Sequence, residues 1–425
     1  MGKATVAVGL QFGDEGKGKI IDCLSEEYDY VARFYGGANA GHTVSFDGKT
    51  FKLNLIPSGI FNPKAYNFLC SGMVIDPEKF TDEIIDLQKK NISIERLRIS
   101  ARAHIIMPWH KIIDAAKDAA LGKQAIGTTG RGIGPCYADK ASRIGIRVGE
   151  LLDVKRLTEH IEWCYKLKEK EISLFENAKL PPLAQIIDDF KKHACNLSSF
   201  IADTEEKLRR ALKNDNKKIL LEGAQGAMID IDNGTYPFVT SSSATSAGAC
   251  VGAGLPPTAI DEIYGIAKAY ITRVGNGPFV TELNDEIGET LRKNGNEFGT
   301  TTGRPRRCGW FDVPLARYTA ELNGVTGIIL TKLDVLTGIS PIKVATAYRR
   351  ERMILPVLSP MHPLEECRPF YEEFEGWKEP IANVDSWDKL PPQAQRYVEE
   401  LEKLIGFPII AVATGPDRKA IIERR

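Results

Sequence analysis

The chain lacks any excess of one charge: lysine plus arginine and aspartate plus glutamate number 56 each. No overall field draws it to nucleic acid or to a membrane surface, so small molecules are the expected partners. It has no apolar run near the roughly 18 residues of a membrane span. A strand pattern begins at Ala4, which leaves no room for a secretory signal, and "MGKATV" lacks the Ser or Thr of an acylation signal. A cytoplasmic protein is expected. The eight cysteines (Cys23, Cys70, Cys136, Cys164, Cys195, Cys250, Cys308, Cys367) include no C-x-x-C pair and read as reduced thiols. The six histidines form neither H-x-x-x-H nor H-E-x-x-H, so no structural zinc is expected. Internal repeats and low-complexity linkers are also missing. What remains, 43% apolar and 26% charged residues over 425 positions, describes a soluble globular chain with room for a large α/β domain.

Short β-rich runs alternate with helical patterns, which predicts βαβ units around a mostly parallel sheet. "KATVAVGL" reads as a buried strand. "VSFDGKTFKL" (44–53) alternates about Asp47–Gly48, a hairpin signal. Helical spacing follows Pro77 over 78–90. From about 100 to 215 the chain reads as a mostly helical insertion within one domain spanning 1–425, and charge runs such as "KLKEKE" read as solvated helix faces. Residues 241–257 are small and fit a turn leading into a tightly packed helix. Strand patterns resume at 219. Four apolar runs end in polar, glycine-bearing clusters: "VAVGLQFGDEGKG", "KILLEGAQG", "GIILTKLD" and "PIIAVATGPDR". In a parallel sheet all four ends share one edge, where open α/β sheets bind ligands.

The first cluster resembles a phosphate loop with two faults. Gly18 stands where a Ser or Thr should hold Mg²⁺, and Asp14–Glu15 place acid inside an anion cradle. Glycines 13, 16 and 18 free backbone N–H groups for phosphate, and Lys17 supplies a point charge. Asp14 is the nearest replacement oxygen for Mg²⁺, or a base for a phosphoryl acceptor; helix capping is the alternative, favoured for Glu15. "TKLD" (331–334) after a buried strand lets Asp334 accept from both guanine donors, with Lys332 along the base, which favours GTP over ATP. In "GGANAGHT" (36–43), His42 lies beside Asn39 among small residues and can donate toward a phosphate oxygen. "GTTGRGIG" (127–134) offers Thr128, Thr129 and Arg131 to a second phosphate. "TTTGRPRR" (300–307) concentrates Arg304, Arg306 and Arg307 for a small anion. Together these residues call for a guanine nucleotide, Mg²⁺, a second phosphorylated substrate and a small carboxylate, as in a ligase with a phosphorylated intermediate. A GTP-binding regulatory switch and a GTP-dependent small-metabolite kinase are the alternatives.

In "QFGDEGKGK", "GGANAGHT", "IPSGI", "GTTGRGIGP", "EGAQG", "GTYPFVTSS", "GNEFGTTTGRPRRCGW", "TKLDVL" and "TGPDR" the chain resembles the adenylosuccinate synthetase family from end to end. The resemblance implies a P-loop-related fold with one large, mainly parallel sheet flanked by helices. It also implies the ligation of IMP and L-aspartate, driven by GTP through 6-phosphoryl-IMP, as the first committed step from IMP to AMP. On it, Asp14, Lys17, His42 and Gln225 are catalytic. Asp14 takes the N1 proton of IMP and, with the Gly41 carbonyl, holds Mg²⁺. GTP contacts fall on Gly13, Glu15, Gly16, Lys17, Gly18, Lys19, Gly41, Thr43, Arg306, Lys332, Leu333, Asp334, Thr414 and Gly415. IMP contacts fall on Asp14, Asn39, Thr129, Gln225, Thr240 and Arg304, with Arg143 reaching in from a partner subunit of a homodimer. The aspartate loop falls on Thr300, Thr301, Thr302, Gly303 and Arg304, continuing to Arg306. Phe12 and Ala38 depart from residues common in the family (Trp and His), and little chain follows "TGPDR" to close the guanine pocket.

Overall fold

In the computed structural model, residues 2–122, 127–214, 217–299, 303–382 and 384–424 are described. "KATVAVG", "KILLEGAQG", "GIILT" and "IIAVA" are short, β-branched-rich and apolar on both faces, so each must be covered from both sides. All four lie in one sheet, ten-stranded among the described residues. From edge to edge the order is Ile421–Glu423, Ile409–Ala413, Gly327–Thr331, Ile260–Lys268, Lys3–Gly9, Lys218–Gly226, Tyr30–Arg33, Tyr66–Leu69, Leu97–Ser100 and Ile201–Ala202. Every neighbouring pair is parallel except the antiparallel strand Ile421–Glu423 at one edge. Lys3–Gly9 lies between Lys218–Gly226 and Ile260–Lys268, with Val6 opposite Leu221 and Ile263.

Period-two alternation sends these apolar side chains into two layers. Ala7, Leu220, Ile266 and Ile329 pack on Ile20 and Ile21 of the helix Lys17–Leu24. Val6, Val8, Leu221, Ile328 and Leu330 pack on the other side with Ala249 and Ala253 of the helix Ser246–Ala253. That helix is built from small residues, and a Cβ on Gly252 would strike the Phe34 backbone. The stretch 241–257 is thus a turn and a close-packed helix.

Residues 100–215 carry the helices Pro108–Leu121, Ile133–Ser142, Val154–Ile172, Leu183–Leu197 and Thr204–Asn214. Trp109, Ile113, Leu157, Ile161, Ile186 and Phe190 build a second core with Phe80, Ile84 and Leu87 of the helix Pro77–Lys89. The "KLKEKE" run is not a uniformly solvated face. Lys168 continues the buried stripe of Leu157, Ile161 and Cys164 at helical spacing. Its ammonium pairs with Asp139 at 2.6 Å and Glu171 at 2.9 Å. A long aliphatic stem is buried while its charge finds acids, so charge pattern alone misplaced it.

Two connections shape the functional edge. The hairpin His42–Phe46 to Lys49–Leu53 turns at Asp47 (φ 50°) and Gly48 (φ 69°), as a two-residue turn with both central φ positive requires. Beyond Ile409–Ala413 the chain doubles back as Ile421–Glu423, and the turn between them lies against the phosphate loop.

Candidate active site

The carboxyl ends of Lys3–Gly9, Lys218–Gly226, Gly327–Thr331 and Ile409–Ala413 open into a cavity of about 960 Å³. Its floor is the loop after the first strand. The backbone is left-handed at Gly13 (φ 96°), Asp14 (φ 60°) and Gly16 (φ 85°), the conformation that turns successive N–H groups toward an anion. Gly16 caps the helix Lys17–Leu24 without a side chain, leaving first-turn N–H groups free for a ligand.

The two faults of the motif have separate explanations. Glu15 does not cap the helix: its buried carboxylate accepts from the N–H of Gly13 (2.8 Å) and Gln11 (3.1 Å) and pairs with Lys17 at 2.5 Å. Burial opposes the charge, but Lys17 and the loop amides hold Glu15 below the usual carboxylate range. Glu15 therefore braces the loop from inside, and a Cβ on Gly9 or Gly226 would collide with it. Gly18 sits under the hairpin, where a Cβ would come 2.9 Å from the Cβ of His42. The space of a Ser or Thr hydroxyl is taken by the strand that carries His42.

His42 faces the cavity with its back to an acid. Nδ1–H donates to Glu222 Oε1 at 2.5 Å, and Nε2 lies 3.4 Å from the Ala224 carbonyl. Glu222 is fully buried and also accepts from the Ser58 N–H and hydroxyl. Burial would raise its pKa, yet the His42 partner and nearby Arg33 hold it low, so the anion persists and fixes the imidazole's orientation.

Asp14 is 27% exposed into the cavity and meets Arg306 Nε at 2.9 Å. Arg306 Nη1 reaches Glu297 at 2.6 Å. Glu297 is fully buried, and it also takes Lys332 Nζ at 2.7 Å, the Tyr270 hydroxyl at 2.5 Å and Lys268 Nζ at 3.3 Å. Burial would raise it, but Lys268, Lys332 and Arg306 together hold it far below the carboxylate range, while burial lowers Lys268 to about 8. Asp334 lines the same wall, raised by burial. Thr331 Oγ1 donates to the Glu15 carbonyl at 2.6 Å, tying this turn to the phosphate loop.

Elsewhere in the lining, Gln225 Nε2 donates to Asn39 Oδ1 at 3.2 Å. Gln225 Oε1 is buried without a hydrogen-bond partner among the described residues. Thr240 is part of the same lining. The second glycine loop is held by the helix Pro108–Leu121: Asp114 accepts from Gly132 N–H at 2.9 Å and Asp118 from Gly127 N–H at 3.2 Å. The short C-terminal segment does close its side of the site. Lys19 Nζ donates to the carbonyls of Gly415 and Ala420 at 2.7 Å each, and burial lowers it to about 8. Arg418 pairs with Asp22 at 2.6 Å and stacks on Phe46 at 4.2 Å.

The structure brings Gly13, Asp14, Gly16, Lys17, Gly18, Lys19, Asn39, Gly41, His42, Thr43, Thr129, Gln225, Thr240, Gly303, Arg306, Lys332, Asp334 and Gly415 to one lining. The Glu15 side chain, Leu333 and Thr414 are buried behind it, and Arg143 and Arg304 are exposed outside it. Thr300, Thr301 and Thr302 fall outside the described residues. Glu222 and Glu297 went unassigned from sequence, although both lie within quoted motifs. An acid with an apolar neighbour and a glycine within two positions was the available signal. Phe12 packs under Arg273 (4.3 Å) against Phe279, and Ala38 is buried in the second core.

The sequence model of the adenylosuccinate synthetase family matches residues 6–422. The chain belongs to that family. The adenylosuccinate synthetase of Heliobacterium modesticaldum is 48% identical over 99% of this chain and 98% of its own. That of Thermobifida fusca is 46% identical over 99% of each chain. The fully ligated adenylosuccinate synthetase structure from Plasmodium falciparum superposes with a TM-score of 0.95 at 41% identity, covering both chains completely. A cyanophage succinoaminodeoxyadenylate synthetase, 19% identical with a TM-score of 0.63, shares the fold. The family's mixed α/β architecture is thus the architecture of this chain.

Proposed function

We propose that the chain works as an adenylosuccinate synthetase: IMP, L-aspartate and GTP give adenylosuccinate, GDP and phosphate. It is a ligase forming a C–N bond, in purine nucleotide synthesis. One observation carries the mechanism. Asp14 stands inside the phosphate loop yet faces a cavity that also holds Asp334 and the Gln225–Asn39 pair. A carboxylate there can serve the phosphoryl acceptor while the loop holds the donor.

Asp334 and Lys332 take the guanine end, with Leu333, Thr414 and Gly415 shaping its surroundings. Residues 13–19, Thr43 and Arg306 take the phosphates, Glu15 through its backbone. Gln225, Asn39, Thr240 and Thr129 take IMP, the unpartnered Gln225 oxygen offering an acceptor to the base. Asp14 removes the N1 proton, O6 attacks the γ-phosphorus, and GDP leaves. Nε2 of His42, backed by Glu222, steadies the transferring oxygens, and Lys17 adds its charge. The aspartate amine, with its carboxylates held by the 300–304 loop and Arg304, then adds at C6 and expels phosphate.

The oxygen-only donors Asp14 and the Gly41 carbonyl suit Mg²⁺, which takes few protein ligands and completes its shell with phosphates and water. When bound, the ion neutralises phosphate charge. Arg143 is exposed, left-handed (φ 64°) and outside its own cavity. The following Ile144 carbonyl packs on the helix that exposes Trp163 and Leu167. These features support a homodimer in which Arg143 completes the partner's IMP site. No helix of the described residues is long and apolar enough to cross a membrane, and a cytoplasmic location fits this reading.

The test follows absorbance near 280 nm with IMP, L-aspartate, GTP and Mg²⁺, omitting each in turn. A rise that needs all four supports the ligase. GTP hydrolysis without IMP or aspartate points to a switch, and a stable phosphorylated product without aspartate points to a kinase.

A further inference from the structure

The Glu297 carboxylate joins two cavity-lining cations that the sequence places in different motifs. Its Oε2 holds Arg306 Nη1 at 2.6 Å, and its Oε1 holds Lys332 Nζ at 2.7 Å. Lys268 and the Tyr270 hydroxyl approach Oε1 from behind. That back side is fixed to the phosphate loop: Gln11 Nε2 donates to the carbonyls of Lys268 and Tyr270, and Gln11 Oε1 accepts from the Lys268 N–H, all at 3.1 Å. Glu297 and Lys268 are fully buried, so neither side chain reaches a ligand.

This arrangement changes what Lys332 offers. Its ammonium is turned onto Glu297 and the Gly295 carbonyl, both at 2.7 Å, while the residue lines the cavity. The methylene stem, not the charge, is left for a base plane. Arg306 is held at one end only: its Nη1 is on Glu297, whereas its Nε lies 2.9 Å from Asp14 without hydrogen-bond geometry. Arg306 can exchange Asp14 for a phosphate without leaving Glu297. Without the carboxylate, three buried or half-buried cations would repel one another.

We infer that Glu297 is a positioning residue for the nucleoside triphosphate, setting the Lys332 stem against the base and Arg306 against the phosphates. This rests on the ligase reading above, with GTP as the nucleotide. A role confined to folding would lower stability without choosing among substrates. A positioning role acts mainly on the nucleotide and affects IMP less, because, of the proposed IMP contacts among the described residues, only Asp14 touches a residue that Glu297 holds.

The experiment uses the full-length protein and the four-component absorbance assay. For Glu297→Gln the KM for GTP is expected to rise about tenfold or more, from loss of charge-assisted hydrogen bonds, with the KM for IMP changed less than about twofold. Glu297→Asp keeps the charge and is expected to recover at least about half of that loss on a logarithmic scale. Adding Lys332→Gln to Glu297→Gln is expected to raise the GTP KM by less than about twofold further, because the shared anchor is already gone. An unchanged GTP KM, an equal rise for IMP, or a full multiplicative effect in the double variant overturns the proposal. If Glu297→Gln does not fold, Glu297→Asp alone is measured, and a GTP KM that is unchanged, or that rises no more than the IMP KM, overturns the proposal. Wild-type protein that forms no product sinks the ligase reading instead, so the two failures are told apart.

Discussion

Two charge networks among the described residues, each centred on a buried acid, differ in one respect. Around Asp139 the charges close on themselves: His110 at 2.9 Å, Lys168 at 2.6 Å, and Glu171 linking Lys168 to Lys117 at 3.1 Å. Around Glu297 one acid holds Lys268, Lys332 and Arg306, and by direct ion pairs a positive surplus faces a cavity, with Asp14 as the one further acid within ion-pairing distance among the described residues. A balanced network has nothing left to bind and serves to join the helices Pro108–Leu121, Ile133–Ser142 and Val154–Ile172. An unbalanced one stores unmet electrostatic demand for a ligand. The difference separates a structural ion cluster from a functional one by charge count and solvent access, without reference to motif.

The comparison is broken most sharply by Asp14→Asn. Product formation is expected to fall about a hundred- to ten-thousandfold, the range of a lost general base, while the thermal midpoint stays near wild type. A large fall in the midpoint with little loss of kcat would reverse the assignment. In the closed network, Lys168→Met should do the opposite. It leaves Asp139 without its closest cation and is expected to destabilise by about 3–5 kcal/mol in urea unfolding, with kcat per folded molecule unchanged. Glu222→Gln is expected to lower kcat about tenfold with a smaller effect on GTP KM, since His42 loses its anionic partner but keeps a hydrogen bond. Steady-state kinetics on the same variant checks this.

The smallest effect lies in pH. His110 is lowered by burial despite Asp139, so below about pH 6.5 the unfolded chain binds a proton that the folded one refuses. The closed network's contribution is complete above that pH and declines on acidification. Lys268 is lowered to about 8 against 10.5. Between those values the unfolded chain again holds the extra proton, so stability contributed there rises with pH. Hydrogen exchange should therefore speed up in the helices Pro108–Leu121, Ile133–Ser142 and Val154–Ile172 between pH 7 and 5, and slow down over 260–272 between pH 8 and 10, relative to intrinsic rates. Identical responses in both segments would remove the distinction.

Much of this site was legible because its signals are local. Buried strands announce themselves as short apolar runs, and once the runs are parallel their ends must share an edge, which is how Asp14, Gln225, Asp334 and Gly415 could be placed together. The Asp47–Gly48 turn was legible for the same reason. The supports were not. Glu222 meets His42 across 180 positions and Glu297 meets Lys268 across 29, and nothing local marks either pairing. Lys168 was misread because a charge run looks solvated whether or not one member has an acid to reach. Gly18 could be seen as a missing hydroxyl, but the reason for it, the hairpin overhead, exists only in three dimensions.

The clasp between Lys19 and the carbonyls of Gly415 and Ala420 spans 396 and 401 positions. It sets a schedule. During synthesis the phosphate loop leaves the ribosome first, and the wall that closes it is made among the last segments. A chain that ends between Thr331 and Gly415 holds the phosphate-loop residues and the turn tied to them, but not the carbonyls that clasp Lys19. The segment 415–420 is thus among the last to leave the exit tunnel, and a product that ends before it is expected to hold nucleotide more weakly than the full chain.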